Sequence, residues 1–108
     1  MKNINQTAWE ELISKDKTAI IIDARTPNEW NEGIIENAVL LDVLNEPKFL
    51  ESAKTFDKEK NYYVYCRSGA RSVKACQILE SVGVEATYNL LGGILSWEGN
   101  TLIPEQRQ

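Results

Sequence analysis

The chain reads as an α/β protein, a small and mostly parallel sheet of about four to five strands with helices on both faces. Three observations predict this. Strand-like runs alternate with helix-period segments along the chain, with no repeat or low-complexity stretch. One run, Ala19-Ile20-Ile21-Ile22, is apolar without interruption, the pattern of a central strand covered on both faces. A helix-period segment, Ser72 to Val82, separates two strand-like runs, Tyr62 to Tyr65 and Ala86 to Leu90, in the order of a parallel crossover.

In chain order, Thr7-Ala8-Trp9-Glu10 forms a capping-box pattern that predicts a helix from Ala8 to about Ser14, burying Trp9, Leu12 and Ile13. Asp16-Lys17 turns the chain into the Ala19–Ile22 strand, and Asp23-Ala24-Arg25 is its exit. Thr26 as cap and Pro27 in the first turn start a short helix that ends near Gly33. Ala38 to Leu41 reads as the next strand, and Phe49, Leu50 and Ala53 mark a helix after Pro47. Tyr62 to Tyr65 is the strand that delivers Cys66 to its end. The apolar positions Val73, Ala75, Cys76, Leu79 and Val82 then recur at helical spacing, and Gly83 suits the residue after a helix, where φ is positive. Ala86 to Leu90 is a further strand. Gly92-Gly93 leads into a short helix carrying Ile94, Leu95 and Trp97, and the tail from Pro104 is polar and frays.

With 108 residues, 43% hydrophobic and 26% charged, the sequence suits one domain over residues 1–108, with its core at about residues 5–100. No apolar run approaches the ~18 residues of a membrane span, and no export signal opens the chain, so the expectation is a cytoplasmic protein that engages no membrane. In that setting the two cysteines are reduced thiols rather than a bridge. A net charge of −4, with sixteen acids among twelve bases, supplies no basic stripe for nucleic acid. Two distant cysteines and no histidine cannot assemble a metal cluster, and no phosphate-cradling Gly-Lys motif is present, so no cofactor is expected.

The segment Cys66-Arg67-Ser68-Gly69-Ala70-Arg71-Ser72 carries most of the functional information. A cysteine at a strand end, followed by small residues that open a helix, lies where backbone N–H groups and the positive helix end converge. Such a place favours an anion: a bound oxyanion, the thiolate itself, or a persulfide built on it. Arg67 and Arg71 are expected to strengthen all three. A thiol with pKa ~8.5 is only about 3% thiolate at pH 7, and a fall of ~2 units raises that to roughly three quarters. The absence of histidine argues against a Cys-His protease or acyl transferase and leaves an electrostatically activated cysteine as the surviving nucleophilic reading. Cys76, on the apolar stripe of its helix, reads as a core thiol. Trp9, Trp30 and Trp97 read as packing residues, and Gly92-Gly93 can be read as a turn alone.

Three segments together resemble the rhodanese family of sulfurtransferases, specifically a single-domain member. Asp23-Ala24-Arg25-Thr26-Pro27-Asn28-Glu29-Trp30 is similar to the family's Asp-x-Arg-x-x-x-Glu-aromatic segment, Cys66 to Ser72 to its active-site loop, and Gly92-Gly93-Ile94-Leu95-Ser96-Trp97 to its Gly-Gly-x-x-x-Trp segment. One departure stands out: Ile34 occupies the place of a usual histidine and Asn37 that of a second glycine. The resemblance implies transfer of sulfane sulfur. Cys66 would take the outer sulfur of a small anionic donor such as thiosulfate, hold it as a persulfide, and pass it to a thiol, cyanide or a protein acceptor. Ser68, Gly69 and Ala70 would direct N–H groups inward, Gly69 supplying the curvature. Arg67 and Arg71 would bind the donor and stabilise departing sulfite. Ser72 would cap the following helix and close the loop with its hydroxyl. Asp23 and Arg25 would be scaffold, with Arg25 bridging loops and Glu29 its partner.

Two rivals remain in view. A cysteine phosphatase or arsenate reductase also holds an anion in a cysteine loop, but its arginine comes one position later than Arg71. Dropping one residue shortens the loop by about 3.3–3.6 Å of contour, too tight for a phosphoryl group. The other rival is a non-catalytic rhodanese-like module that binds a protein partner. Such members often lack the loop cysteine, which this chain retains.

Overall fold

The computed structural model describes residues 1–106. Its elements run β1 (Lys2–Ile4), α1 (Gln6–Ser14), β2 (Ile20–Asp23), α2 (Pro27–Trp30), β3 (Val39–Leu40), α3 (Glu46–Ala53), β4 (Asn61–Tyr65), α4 (Ala70–Ser81) and β5 (Ala86–Leu90), with 3₁₀ turns at Ile94–Ser96 and Pro104–Gln106. The strands form one sheet in the order β1-β5-β4-β2-β3, and every pairing is parallel. From β2 the chain steps outward to β3, and from β4 it steps the other way to β5. The order therefore reverses between β2 and β4, and their carboxyl ends flank the crevice where ligands of such sheets bind.

Burial on both faces explains the central strands. Tyr62 and Val64 of β4 point into a core with Ile22, Phe49, Ala53, Ala75, Cys76 and Leu79, so α3 and α4 cover that face. Tyr63 and Tyr65 point the other way, into a core with Trp9, Ile21, Ile35 and Leu90 beneath α1. Trp9 meets both tyrosines edge-on, with ring centroids at 5.6 and 6.2 Å. Each large side chain so buried contributes on the order of 1.5–3 kcal/mol, an upper figure because the unfolded chain already buries part of this surface. Tyrosine is tolerated here because its hydroxyl finds partners: that of Tyr65 accepts from the Ile35 amide at 2.9 Å, and that of Tyr62 donates to the Asp57 carbonyl at 2.6 Å.

The structure departs from the sequence expectations in four places. The first strand, β1, is added parallel to β5 as an edge strand; three mostly exposed residues carry no apolar pattern to announce it. Asn5 rather than Thr7 caps α1, its side-chain oxygen accepting from the Ala8 amide at 2.9 Å, so the helix begins earlier and Leu12 turns toward solvent. α4 begins at Ala70, which moves Ser72 from the cap into the first turn. Of the tail, Pro104–Gln106 forms a turn rather than fraying, and residues 107 and 108 lie outside the described part. Ile34, in the place of the usual histidine, is fully buried and exchanges backbone hydrogen bonds of 2.8 and 2.9 Å with Leu102. An apolar side chain suits that position because the returning chain covers it. Among the described residues no helix is long and apolar enough to cross a membrane.

Candidate active site

β4 ends by delivering Cys66 to the crevice between β2 and β4, where the thiol is 1% exposed. The chain then bends back on itself at Gly69, whose φ of +106° lies where side chains with a Cβ are strained. That bend aims the Gly69 amide at the sulfur, N–H to Sγ at 3.1 Å, and starts α4 at the next residue. In the first turn of α4, the Ser72 hydroxyl lies 3.3 Å from Sγ. Burial opposes ionisation of Cys66, but the Ser72 hydroxyl and amide and the Gly69 and Ser68 amides outweigh it and hold the thiol below its ordinary value.

The geometry adds to the predicted part of arginine a partner that the sequence did not show. Arg71 gives both terminal nitrogens to Glu29, at 2.7 and 2.8 Å, a bidentate pair that joins α4 to α2. The Arg71 guanidinium holds the Glu29 carboxyl at a pKa of about 2. Arg67 is exposed at the loop surface. Main-chain amides and one hydroxyl meet the sulfur directly, because they are fixed by the turn and aimed at it, and the Arg71 guanidinium, though tied to Glu29, still acts on Cys66 through its charge. Ser72 is likewise corrected: it is no cap, since Gly69 holds that position, and its buried hydroxyl closes the loop from inside the helix.

Arg25 does bridge loops, but its partner is Asp23 rather than Glu29. Its Nε and Nη2 donate to the two Asp23 oxygens at 3.0 and 2.8 Å, and Nη2 also donates to the Gly33 carbonyl at 2.7 Å. Asp23 additionally accepts from the Arg25 amide at 3.0 Å, so the pair locks the turn leaving β2. Both are buried, at 3% and 0% exposure, a setting in which a charge is tolerated only when matched. Glu29 completes its own local bond network by accepting from the amide and hydroxyl of Thr26, which fixes the start of α2.

Two residues support the loop in ways that the sequence did not show. Asn89, buried in β5, accepts from the Ser72 hydroxyl, and its amide nitrogen donates to the Gly69 carbonyl at 3.2 Å and to Asn3 at 2.9 Å. The available signal was a lone asparagine inside an apolar strand, a residue that must find partners when buried. The second support is Gly93. A Cβ there would lie 2.4 Å from the Arg67 carbonyl oxygen and 2.6 Å from that of Cys66. This close approach lets the Ile94 and Leu95 amides donate to those two carbonyls at 3.0 and 3.1 Å. Gly92-Gly93 is thus a clamp on the start of the loop as well as a turn. Beside it opens a cleft of about 390 Å³ lined by Arg25, Glu29, Glu32, Arg67, Ile94 and Leu95.

An all-parallel sheet that holds a buried cysteine, met by backbone amides, at the end of its central strand defines a class of α/β domains with a cysteine loop that favours an anion. The family model for the rhodanese-like domain matches residues 5–100, and the chain belongs to that family. It is 39% identical over 101 residues to YtwF of Bacillus subtilis, provisionally named a sulfurtransferase, covering 94% of each chain. It is 33% identical to the thiosulfate sulfurtransferase GlpE of Coxiella burnetii, over 86% of this chain and 82% of the other. A tRNA uridine(34) hydroxylase of Pelagibacter ubique is 35% identical over 91% of this chain, which spans only 32% of that larger protein. Among solved structures, a rhodanese-like domain protein from Staphylococcus aureus superposes with a TM-score of 0.81 at 33% identity, covering 95% of this chain and 98% of that one.

Proposed function

We propose that this protein is a sulfurtransferase in which Cys66 carries sulfane sulfur as a persulfide between a small anionic donor, thiosulfate or a relative of it, and a thiol or protein acceptor. The observation that carries the reading is the Cys66 thiol itself, buried yet met by the Gly69 amide at 3.1 Å and the Ser72 hydroxyl at 3.3 Å. The Cys66 thiolate attacks the outer sulfur of the donor. A new S–S bond forms as the donor's S–S bond breaks, and sulfite leaves with the electron pair. The acceptor thiolate then attacks the terminal sulfur and Cys66 leaves as the thiolate, ready for another cycle.

In this cycle the amides of Ser68, Gly69 and Ser72 stabilise negative charge on sulfur at each stage, first on the thiolate and then along the persulfide. Ala70 keeps the helix start small, and Arg67 attracts the donor at the loop surface. Arg71, tied to Glu29, acts as a strut that fixes the loop's far end against α2. That engagement also argues against a phosphatase reading, which requires the loop arginine to be directed at the anion. Asp23 and Arg25 hold the neighbouring strand exit in register.

Intact mass after incubation with thiosulfate tests the proposal. The protein gains one sulfur atom, cyanide removes it as thiocyanate, and Cys66→Ser gains nothing. If the parent protein acquires no sulfur, the enzymatic reading fails and a binding module replaces it.

A further inference from the structure

The Ser72 hydroxyl stands between two groups that each call on its one hydrogen. On one side is the Cys66 sulfur, 3.3 Å away, and on the other is Oδ1 of Asn89, which accepts from the hydroxyl. The rotation of the Asn89 amide decides which group holds the hydrogen. Its other end meets the Gly69 carbonyl at 3.2 Å, and a carbonyl accepts only, so the nitrogen must be the atom that faces Gly69. Asn3 Oδ1, at 2.9 Å, takes the second hydrogen of that nitrogen. The oxygen of Asn89 is thereby turned toward Ser72 and, having no hydrogen, can only receive one. Ser72 and Asn89 are 0% and 3% exposed, so the protein rather than bulk water supplies their partners. While Cys66 is neutral, the hydrogen between its sulfur and Ser72 Oγ is therefore the thiol's own. The three groups then form one chain, from S–H to O–H to amide oxygen.

We propose that Asn89 is a positioning residue that draws the Ser72 hydrogen away from Cys66 while the sulfur is neutral and yields it when the sulfur carries charge. When Cys66 gives its proton to solvent, one hydrogen is left for two acceptors. The thiolate takes it, since hydrogen bonds to an ionised partner are the stronger, and the hydroxyl turns from Asn89 to Sγ. Asn89 Oδ1 is then buried without a donor, a cost that opposes ionisation and that exists only because Asn89 is there. Within the sulfurtransferase cycle, on which this part rests, the persulfide carries its negative charge on the outer sulfur. Sγ then bears neither hydrogen nor charge, and the hydroxyl returns to Asn89. Ser72 thus supports Sγ at two moments, when the thiolate attacks the donor and when it departs from the acceptor. Around the loop lie Arg71 with Glu29, the Arg25–Asp23 pair, Asp42 and Arg67, whose charges are the same in every variant below and cancel from the comparison.

The test is the pH dependence of Cys66 alkylation in the full chain, read by intact mass in a Cys76→Ala background. Asn89→Ala lowers the midpoint, and alkylation below it runs severalfold faster, because the freed hydroxyl serves the thiolate with no acceptor left wanting. A merely structural Asn89 gives the opposite sign: losing its bond to Gly69 loosens the turn that aims the Gly69 amide at the sulfur, and the midpoint rises. In Ser72→Ala protein, adding Asn89→Ala leaves the midpoint where Ser72→Ala put it, since the contested hydrogen is gone. Infrared spectra of the Cys76→Ala protein, with Asn89 in place, serve should the Asn89 variant fail to fold. Below the midpoint the Cys66 S–H stretch lies at the lowered frequency of a hydrogen-bond donor, and Ser72→Ala moves it up to that of a free thiol. A midpoint that rises or stays put in Asn89→Ala, a shift that persists without the Ser72 hydroxyl, or an S–H band already at the free-thiol frequency overturns the proposal. None of these readouts involves sulfur transfer, so such a result leaves the persulfide cycle standing. Absence of sulfur on Cys66 after thiosulfate removes the cycle and leaves the hydrogen assignment intact.

Discussion

Cys66 and Cys76 are both almost completely enclosed, at 1% and 0% exposure, yet the surroundings push their thiols in opposite directions. Cys76 lies on the inner side of α4 among Ile22, Val64 and Leu79, and burial drives its pKa up to about 12. Cys66 is held below its ordinary value although burial opposes that as well. Enclosure alone therefore does not decide whether a thiol ionises. The donors aimed at the sulfur decide it, and Cys66 has a turn built around it while Cys76 has the flank of a helix.

The largest effect separates the two thiols kinetically. At pH 8 the folded protein should be alkylated at Cys66 more than ~10³-fold faster than at Cys76, by the thiolate fractions alone. Peptide mapping after iodoacetamide checks this, with denaturant bringing the rates together; comparable rates in the folded state would break the contrast. Cys66→Ser then abolishes sulfur uptake, and Cys76→Ser retains it.

Gly93→Ala attacks the clamp without touching either sulfur. The added methyl group meets the Arg67 carbonyl at 2.4 Å on a backbone with φ of +59°, and about 2–4 kcal/mol of stability should be lost. Urea unfolding measures the loss, and the Cys66 alkylation rate should fall with it while Cys76 stays inert.

Ser72→Ala sharpens the comparison by taking one donor away. The alkylation midpoint of Cys66 should rise, because the hydroxyl is the foremost group that lowers it. A midpoint that does not move would mean that the amides suffice.

A further effect is in alkaline stability, where the two thiols carry opposite signs. The raised Cys76 pKa favours the folded state below 9.0, and that contribution fades as pH rises toward about 12. The lowered Cys66 pKa contributes stability that is complete above 9.0 and lost as pH falls through its folded value. Chemical denaturation from pH 8 to 10.5 should show Cys76→Ala flattening the alkaline decline and Cys66→Ala steepening it. Identical slopes for the two variants would contradict the contrast.

Much of the fold was legible because it rests on local patterns. Ile20 to Ile22 and Tyr62 to Tyr65 announce strands covered on both faces, and the spacing of Ala75, Cys76 and Leu79 announces α4. β1 was not legible, since three mostly exposed residues pair only because the edge of β5 is there to receive them. In the site, the cysteine and its helix-opening loop were evident from residue order. The partners of the charged groups were not: Glu29 lies far from Arg71 in sequence, and nothing local distinguishes Arg71 from Arg25 as its partner. The same holds for Asn89 and Gly93, whose parts depend on β5 and the following turn lying against the loop.

By itself the sequence determined the alternation of strands and helices, the position of Cys66 at a strand end and the curvature Gly69 permits, because these follow from side-chain periodicity and backbone freedom over a few residues. Only the tertiary structure decided which carboxylate each buried guanidinium meets, which hydroxyl and amides reach the sulfur, and why one buried thiol is pushed toward ionisation and the other away from it. Those outcomes depend on distances of about three ångströms between segments far apart along the chain, and electrostatic and hydrogen-bond energies are set by distance and direction rather than by order in sequence.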